Sequence, residues 1–130
     1  MTDKFRVKIV GIVFEPKSRK ILVGKNFGDK KYTFLDGELN FKEELDKSLK
    51  KVAKEKTGYK IHNLGSIYAK NKVKGKKEIL ELYFLCEATE GKEKKGKRVE
   101  ELKWIKPKDA EKELKEKLPT RLKEYVFGLE

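Results

Sequence analysis

The chain has 130 residues, 37% hydrophobic and 43% charged, with a formal net charge of +12 carried almost entirely by lysine. That length suits one domain over residues 1–130 burying roughly two-thirds of the surface its unfolded form exposes, and apolar runs recurring from Val7 to Leu129 exclude wholesale disorder. The one cysteine, Cys86, excludes an internal disulfide, and no apolar stretch is long enough to span a bilayer.

Arg6 to Glu15 alternates loosely and is rich in valine and isoleucine. With Ile21 to Val23 it predicts two strands joined at the turn-like Pro16-Lys17-Ser18-Arg19. After a polar break from Asn26 to Asp29, Lys31 to Leu35 is a short strand ending at Asp36-Gly37, where glycine permits backbone angles that other residues resist. A loop follows. From Lys42 to Thr57 the period changes: Leu45, Leu49, Val52 and Ala53 fall at helical spacing, and Gly58 stands where a helix C-terminal glycine would. Ile61 to Val73 and Glu78 to Ala88, separated by Lys74-Gly75-Lys76-Lys77, suggest a long antiparallel hairpin. Glu90 to Arg98 is a charged, glycine-punctuated loop, followed by a brief strand around Leu102 to Ile105. Pro107 opens a helix through about Lys117, and a last amphipathic segment runs from Pro119 to Phe127.

Gly37, Glu43, Lys51, Glu55 and Gly58 stand at the spacing of the Nudix box. The box runs Gly, five residues, Glu, seven residues, Arg-Glu, an aliphatic residue, any residue, Glu-Glu, any residue, Gly and a hydrophobic residue. The sequence resembles that superfamily. Gly37, Glu43, Ala53, Glu55, Gly58 and Tyr59 match, and Lys51 replaces the arginine. Val52 and Lys56 stand where the first and last glutamates of the paired motif belong. Upstream, Phe34-Leu35-Asp36-Gly37 resembles the family's Phe-Pro-Gly-Gly, and Lys42 replaces a common glycine. Downstream, Glu100-Glu101-Leu102-Lys103-Trp104-Ile105, with Pro107 and Asp109, resembles its acidic residues, tryptophan strand and following helix. The resemblance covers nearly the whole chain and implies a Nudix-like α/β/α sandwich with a mixed sheet.

It also implies hydrolysis of nucleoside diphosphate derivatives with magnesium or manganese, ions that bridge diphosphate oxygens and help activate water. Carboxylates four residues apart on a helix share a face and can hold such an ion. Here that pair has become Val52 and Lys56. The expected metal ligands are then Glu43 and Glu55, and the catalytic candidates Glu55, Lys51, Glu100 and Glu101, with Gly37 and Lys56 contacting substrate. Each acid also has a purely structural role open to it. Glu43 near a helix N-terminus favours the helix dipole, and Glu55 can pair with Lys51 across one turn. If the Lys56 ammonium pairs with Glu55 or Glu43, it replaces part of the divalent charge and binds phosphate without activating water. The leading expectation is a nucleotide- or phosphate-ligand-binding domain with pyrophosphohydrolase activity lost or reduced. The alternatives are a magnesium-dependent hydrolase and a noncatalytic RNA- or ribonucleoprotein-binding module.

The remaining signals are compositional. The positive charge attracts polyanions, and Lys70 to Lys77 and Lys92 to Arg98 could flank nucleic acid with Tyr68 or Tyr83 available for stacking. Abundant lysine and glutamate without glutamine is equally expected of surface ion pairs that resist high temperature. Cys86, inside the run Ile79 to Cys86, reads as a buried structural thiol, and a nucleophilic pair with His62 is not expected. Met1-Thr2-Asp3-Lys4 lacks the apolar core of a signal peptide, so the expected location is cytoplasmic, with no membrane partner. Family members often pair, which keeps a homodimer among the expectations.

Overall fold

The computed structural model describes residues 5–130. Met1 to Lys4, the stretch read for a signal peptide, lies outside the described residues. Six strands form one mixed sheet: β1 (Phe5–Glu15), β2 (Lys20–Asn26), β3 (Thr33–Glu38), β4 (Tyr59–Lys74), β5 (Lys77–Gly91) and β6 (Val99–Ile105), in the order β4-β5-β1-β3-β2-β6. The helices are α1 (Leu45–Thr57), the short α2 (Ala110–Glu113) after a 3₁₀ turn at Pro107–Asp109, and α3 (Thr120–Phe127).

β1 lies inside the sheet. It runs parallel to β5 from Phe5↔Glu78 to Phe14↔Glu87, and its other edge is shared between β3, at Lys8 to Gly11, and β2, at Phe14 and Glu15. A strand covered on both faces needs apolar residues at consecutive positions. Val7, Ile9, Val10, Ile12 and Val13 are all buried accordingly. One face, with Ile9, Val13, Leu22, Leu35, Phe84 and Cys86, packs on Leu49 and Ala53 of α1. The other, with Val10, Ile12, Ile21, Val23 and Phe34, packs on Leu114, Leu118 and the α3 residues Leu122 and Val126. The result is the expected α/β/α sandwich. Burial pushes the Cys86 thiol up to about 12, which fits a structural thiol, and His62 is an exposed residue paired across the hairpin with Glu87. No helix among the described residues is long and apolar enough to cross a membrane.

Several boundaries differ from expectation for identifiable reasons. The helix expected from Pro107 to about Lys117 stops after Glu113. Leu114 turns extended (φ −80°, ψ 143°), and Tyr32 N–H donates to Glu113 O while Lys115 N–H donates to Tyr32 O. This extended stretch carries both Leu114 and Leu118 into the core, and Pro119 disfavours a helical residue before it. β3 does not end at Asp36-Gly37 but runs through both, pairing them with Val10 and Ile9 of β1.

Strand register also assembles a buried charge cluster that no linear pattern announced. Glu81 of β5 lies directly across from Lys8 of β1 and Lys70 of β4. Its side chain is 1% exposed and stands 3.7 Å from Lys8 Nζ, 3.6 Å from Lys70 Nζ and 3.1 Å from Lys72 Nζ. The Tyr83 hydroxyl donates to it at 3.2 Å. Burial alone would raise the Glu81 carboxyl, but the hydrogen bond from Lys72 and the charges of Lys8, Lys72 and Lys70 outweigh it and hold the group below its ordinary value of 4.5.

A carboxyl depressed in the folded state stabilises the fold above its unfolded value, and that contribution disappears as pH falls through the folded one. At about pH 7, Glu81→Gln is expected to lose about 2 kcal/mol, the scale of a charge-assisted hydrogen bond. On acidification to about pH 3, wild type should lose more of its urea midpoint than the variant does. Equal acid sensitivity of the two proteins would remove Glu81 from this role.

Candidate functional site

The α1 helix forms because Leu45, Leu49, Val52 and Ala53 make one apolar stripe, and Leu49 and Ala53 are completely buried against the sheet. Burying a leucine this fully contributes roughly 1.5–3 kcal/mol. The helix starts at Leu45 rather than Lys42. Asn40 Oδ1 accepts from Lys42 N–H at 3.0 Å and Asn40 Nδ2 donates to Glu43 Oε1 at 3.1 Å, so residues 40–44 fold as a turn ahead of the helix. Glu43 therefore sits outside the helix proper. At the other end Gly58 adopts the left-handed conformation (φ 82°) and its N–H returns to Lys54 O, as a C-terminal glycine should.

Gly37 owes its place to close packing rather than to an unusual backbone angle. A Cβ added there would stand 2.6 Å from Val52 Cγ2 and 3.0 Å from Cγ1. Val52 thus lies directly over β3 and helps lock α1 onto the strand.

One turn further along, Lys56 reaches Asp36. β2 pairs with β3 only at Thr33 and Phe34, and beyond them the Asp36 carbonyl takes its hydrogen bond from Lys56 Nζ. The same ammonium is 3.2 Å from Asp36 Oδ1, while Lys8 Nζ approaches Oδ2 at 3.1 Å. Asp36 is thereby held between two lysines, and Lys8 continues the chain of charges to Glu81. The pairing of Lys56 with Glu55 or Glu43 expected from sequence does not form. Asp36 takes their place because the last turn of α1 faces the gap between β2 and β3.

The other candidate residues are dispersed. Lys51 Nζ pairs with Glu43 Oε1 at 3.6 Å, so its partner is Glu43 and not Glu55. Glu55 is exposed and lines a groove between the last turn of α1 and the 92–98 loop. Glu100 and Glu101 lie on β6, where Lys25 Nζ stands 4.0 Å and 3.7 Å from them. Among the described residues no three His, Cys, Asp or Glu side chains are grouped so as to hold a metal ion. Sequence reasoning missed Asp36, Lys8 and Glu81 as members of one network. The only advance signal was an aspartate at a position where the family's motif has glycine.

No family model matches the chain. No curated protein matches it in sequence either. Solved structures do. Over 96% of this chain and 92% of the other, it superimposes on a MutT protein from Methanosarcina mazei Go1 with a TM-score of 0.74 at 15% identity. A NUDIX hydrolase from Nitrosomonas europaea gives a TM-score of 0.76 at 12% identity, covering 96% of this chain and 89% of that one. The chain has the Nudix fold. An ADP-ribose pyrophosphatase from Streptococcus suis 89-1591 is similar over 95% of this chain and 87% of its own, with a TM-score of 0.69 and 13% identity. Within this Nudix fold, α1 carries Lys51, Val52, Ala53, Glu55 and Lys56, while Gly37 lies on β3 and Glu43 in the turn before the helix, and the gap between β2 and β3 faces the last turn of α1.

The contact between Val52 and Gly37 can be tested by a double-mutant cycle. Gly37→Ala should destabilise by roughly 1–3 kcal/mol, the usual cost of overpacking, and most of that cost should vanish when Val52→Ala makes room for the new methyl. Strictly additive urea-denaturation energies would show that the two side chains do not oppose each other.

Proposed function

We propose that this protein is a Nudix-fold domain that binds a nucleotide or another phosphorylated ligand and has lost metal-dependent pyrophosphate hydrolysis. The observation that carries the reading is the Lys56 ammonium resting on the Asp36 carbonyl and carboxylate, with Val52 packed on Gly37 one turn before it. A divalent ion held in the usual way needs carboxylates at both helix positions. At these positions the chain offers a branched hydrocarbon and a cation, so the donor set does not fit magnesium or manganese. An ammonium supplies positive charge for phosphate oxygens without activating a water.

Structural neighbours support the ligand class. Their names include an ADP-ribose pyrophosphatase and a UDP-X diphosphatase, both naming nucleoside diphosphate derivatives as substrates. Lys8 and Lys56, a third or so exposed, flank the Asp36 end of the β2–β3 gap, where a phosphoryl group could displace part of their contact with that carboxylate.

The first assay is phosphate release from nucleoside diphosphate derivatives, ADP-ribose and UDP-glucose among them, with and without magnesium or manganese. No metal-dependent release is expected, while calorimetry in EDTA should detect ADP-ribose binding that Lys56→Met weakens about tenfold, the scale of one charge-assisted contact. Metal-dependent release abolished by Glu55→Gln would instead establish a hydrolase. A complementary expectation concerns the lost carboxylates: Val52→Glu/Lys56→Glu places two acids beside Asp36, and magnesium should then raise its Tm in a way it does not for wild type. Absence of that shift in a folded variant would count against locating the former metal site here.

A further inference from the structure

The surplus positive charge is not spread evenly. Some lysines have acidic partners, for example Lys50 with Asp46 at 3.2 Å, Lys60 with Glu90 at 3.0 Å and Lys123 with Glu111 at 3.1 Å, and others stand alone at scattered surface positions. The groove beside the last turn of α1 concentrates cations in one place. It encloses about 930 Å³, and seven of its twelve lining residues are lysine or arginine against two glutamates. Four of these cations, Lys92, Lys94, Lys97 and Arg98, are exposed and form no ion pair among the described residues.

The groove wall is also built rather than loose. Lys94 N–H donates to Thr57 O at 2.8 Å and Gly96 N–H to Lys56 O at 3.1 Å, satisfying carbonyls that the end of α1 would otherwise leave open. Gly96 permits that approach, since a Cβ there would stand 2.6 Å from Glu55 O. Cations at a helix C-terminus are favoured by its dipole, so the arrangement is stable before any ligand arrives.

At the Arg98 end stands an aromatic ring. Phe27 N–H donates to Arg98 O at 3.2 Å, and the Phe27 side chain is 66% exposed. Exposed cations on one loop, with an open ring on the segment bonded to Arg98, suit a phosphate backbone and an unstacked base. A duplex keeps its bases stacked and offers no face to such a ring.

We propose that the groove between α1 and the 92–98 loop binds single-stranded nucleic acid, with Lys92, Lys94, Lys97 and Arg98 contacting phosphates and Phe27 stacking on a base. This groove adjoins the small-ligand site at Asp36 and Lys56, since Lys56 lines it as well, but the four loop cations and Phe27 are not part of that reading.

The test is fluorescence anisotropy with fluorescein-labelled 12-nucleotide oligouridylate, oligothymidylate and a 12-base-pair duplex, over a potassium chloride series. Both single strands should bind more tightly than the duplex, and whichever binds better identifies the preferred sugar. Four phosphate contacts give a slope of log affinity against log salt of about −3. Lys92→Ala/Lys94→Ala/Lys97→Ala/Arg98→Ala should abolish most of that slope and weaken binding at least about tenfold at low salt. Phe27→Ala should weaken binding about tenfold and leave the slope unchanged, because it removes stacking and no charge. Lys112→Ala/Lys117→Ala serves as a control with wild-type affinity. Loss of loop charge without effect, equal affinity for the duplex, or no single-strand binding by wild type at low salt would each overturn the proposal. ADP-ribose calorimetry on the fourfold variant keeps the two sites distinguishable: binding unchanged there while oligonucleotide binding fails separates this groove from the small-ligand site.

Discussion

The parallel pairing of β1 with β5 organises the molecule. It is continuous from Phe5 to Phe14, and it places β1 where both faces are covered. The other edge of β1 must then serve two strands in turn, β3 for its first half and β2 for its end. That division opens the gap at Asp36 toward the end of α1. The same pairing sets Glu81 opposite Lys8, so the buried carboxylate and the gap are consequences of one register.

The ion pairs that follow run across the sheet from helix to far edge: Lys56 to Asp36, Asp36 to Lys8, Lys8 to Glu81, and Glu81 to Lys70 and Lys72. Glu81, 1% exposed, depends on this company, since a buried carboxylate without partners carries a desolvation cost of several kcal/mol. Lys56, by contrast, remains 36% exposed. It keeps the gap electrostatically occupied by a positive charge. Val52 complements it mechanically, because its branched side chain on Gly37 fills space beside the strand.

The positive charge divides into two populations. One is neutralised by neighbouring carboxylates and belongs to the stability of the fold. The other has no acidic partner among the described residues, and part of it lies on the 92–98 loop, whose backbone is tied to the end of α1 and whose side chains are left to solvent. Composition reports only the sum of the two, and a sum of +12 is compatible with either.

By itself the sequence determined the order of strands and helices, the apolar stripe of α1, the C-terminal glycine at Gly58 and the resemblance of the box, because these depend on local period and spacing. It also exposed Val52 and Lys56 as departures, since identity at a fixed spacing needs no coordinates. Tertiary structure decided which partner each charged residue takes. Lys56 chose Asp36 over Glu55 and Glu43, Lys51 chose Glu43, and Glu81 gathered lysines from two other strands. It decided, too, that Gly37 serves close packing within a strand and that the chain past Glu113 runs extended. Such choices rest on strand register and on helix placement over the sheet, which bring together side chains up to dozens of residues apart. No local pattern encodes those distances; the packing of both sheet faces sets them.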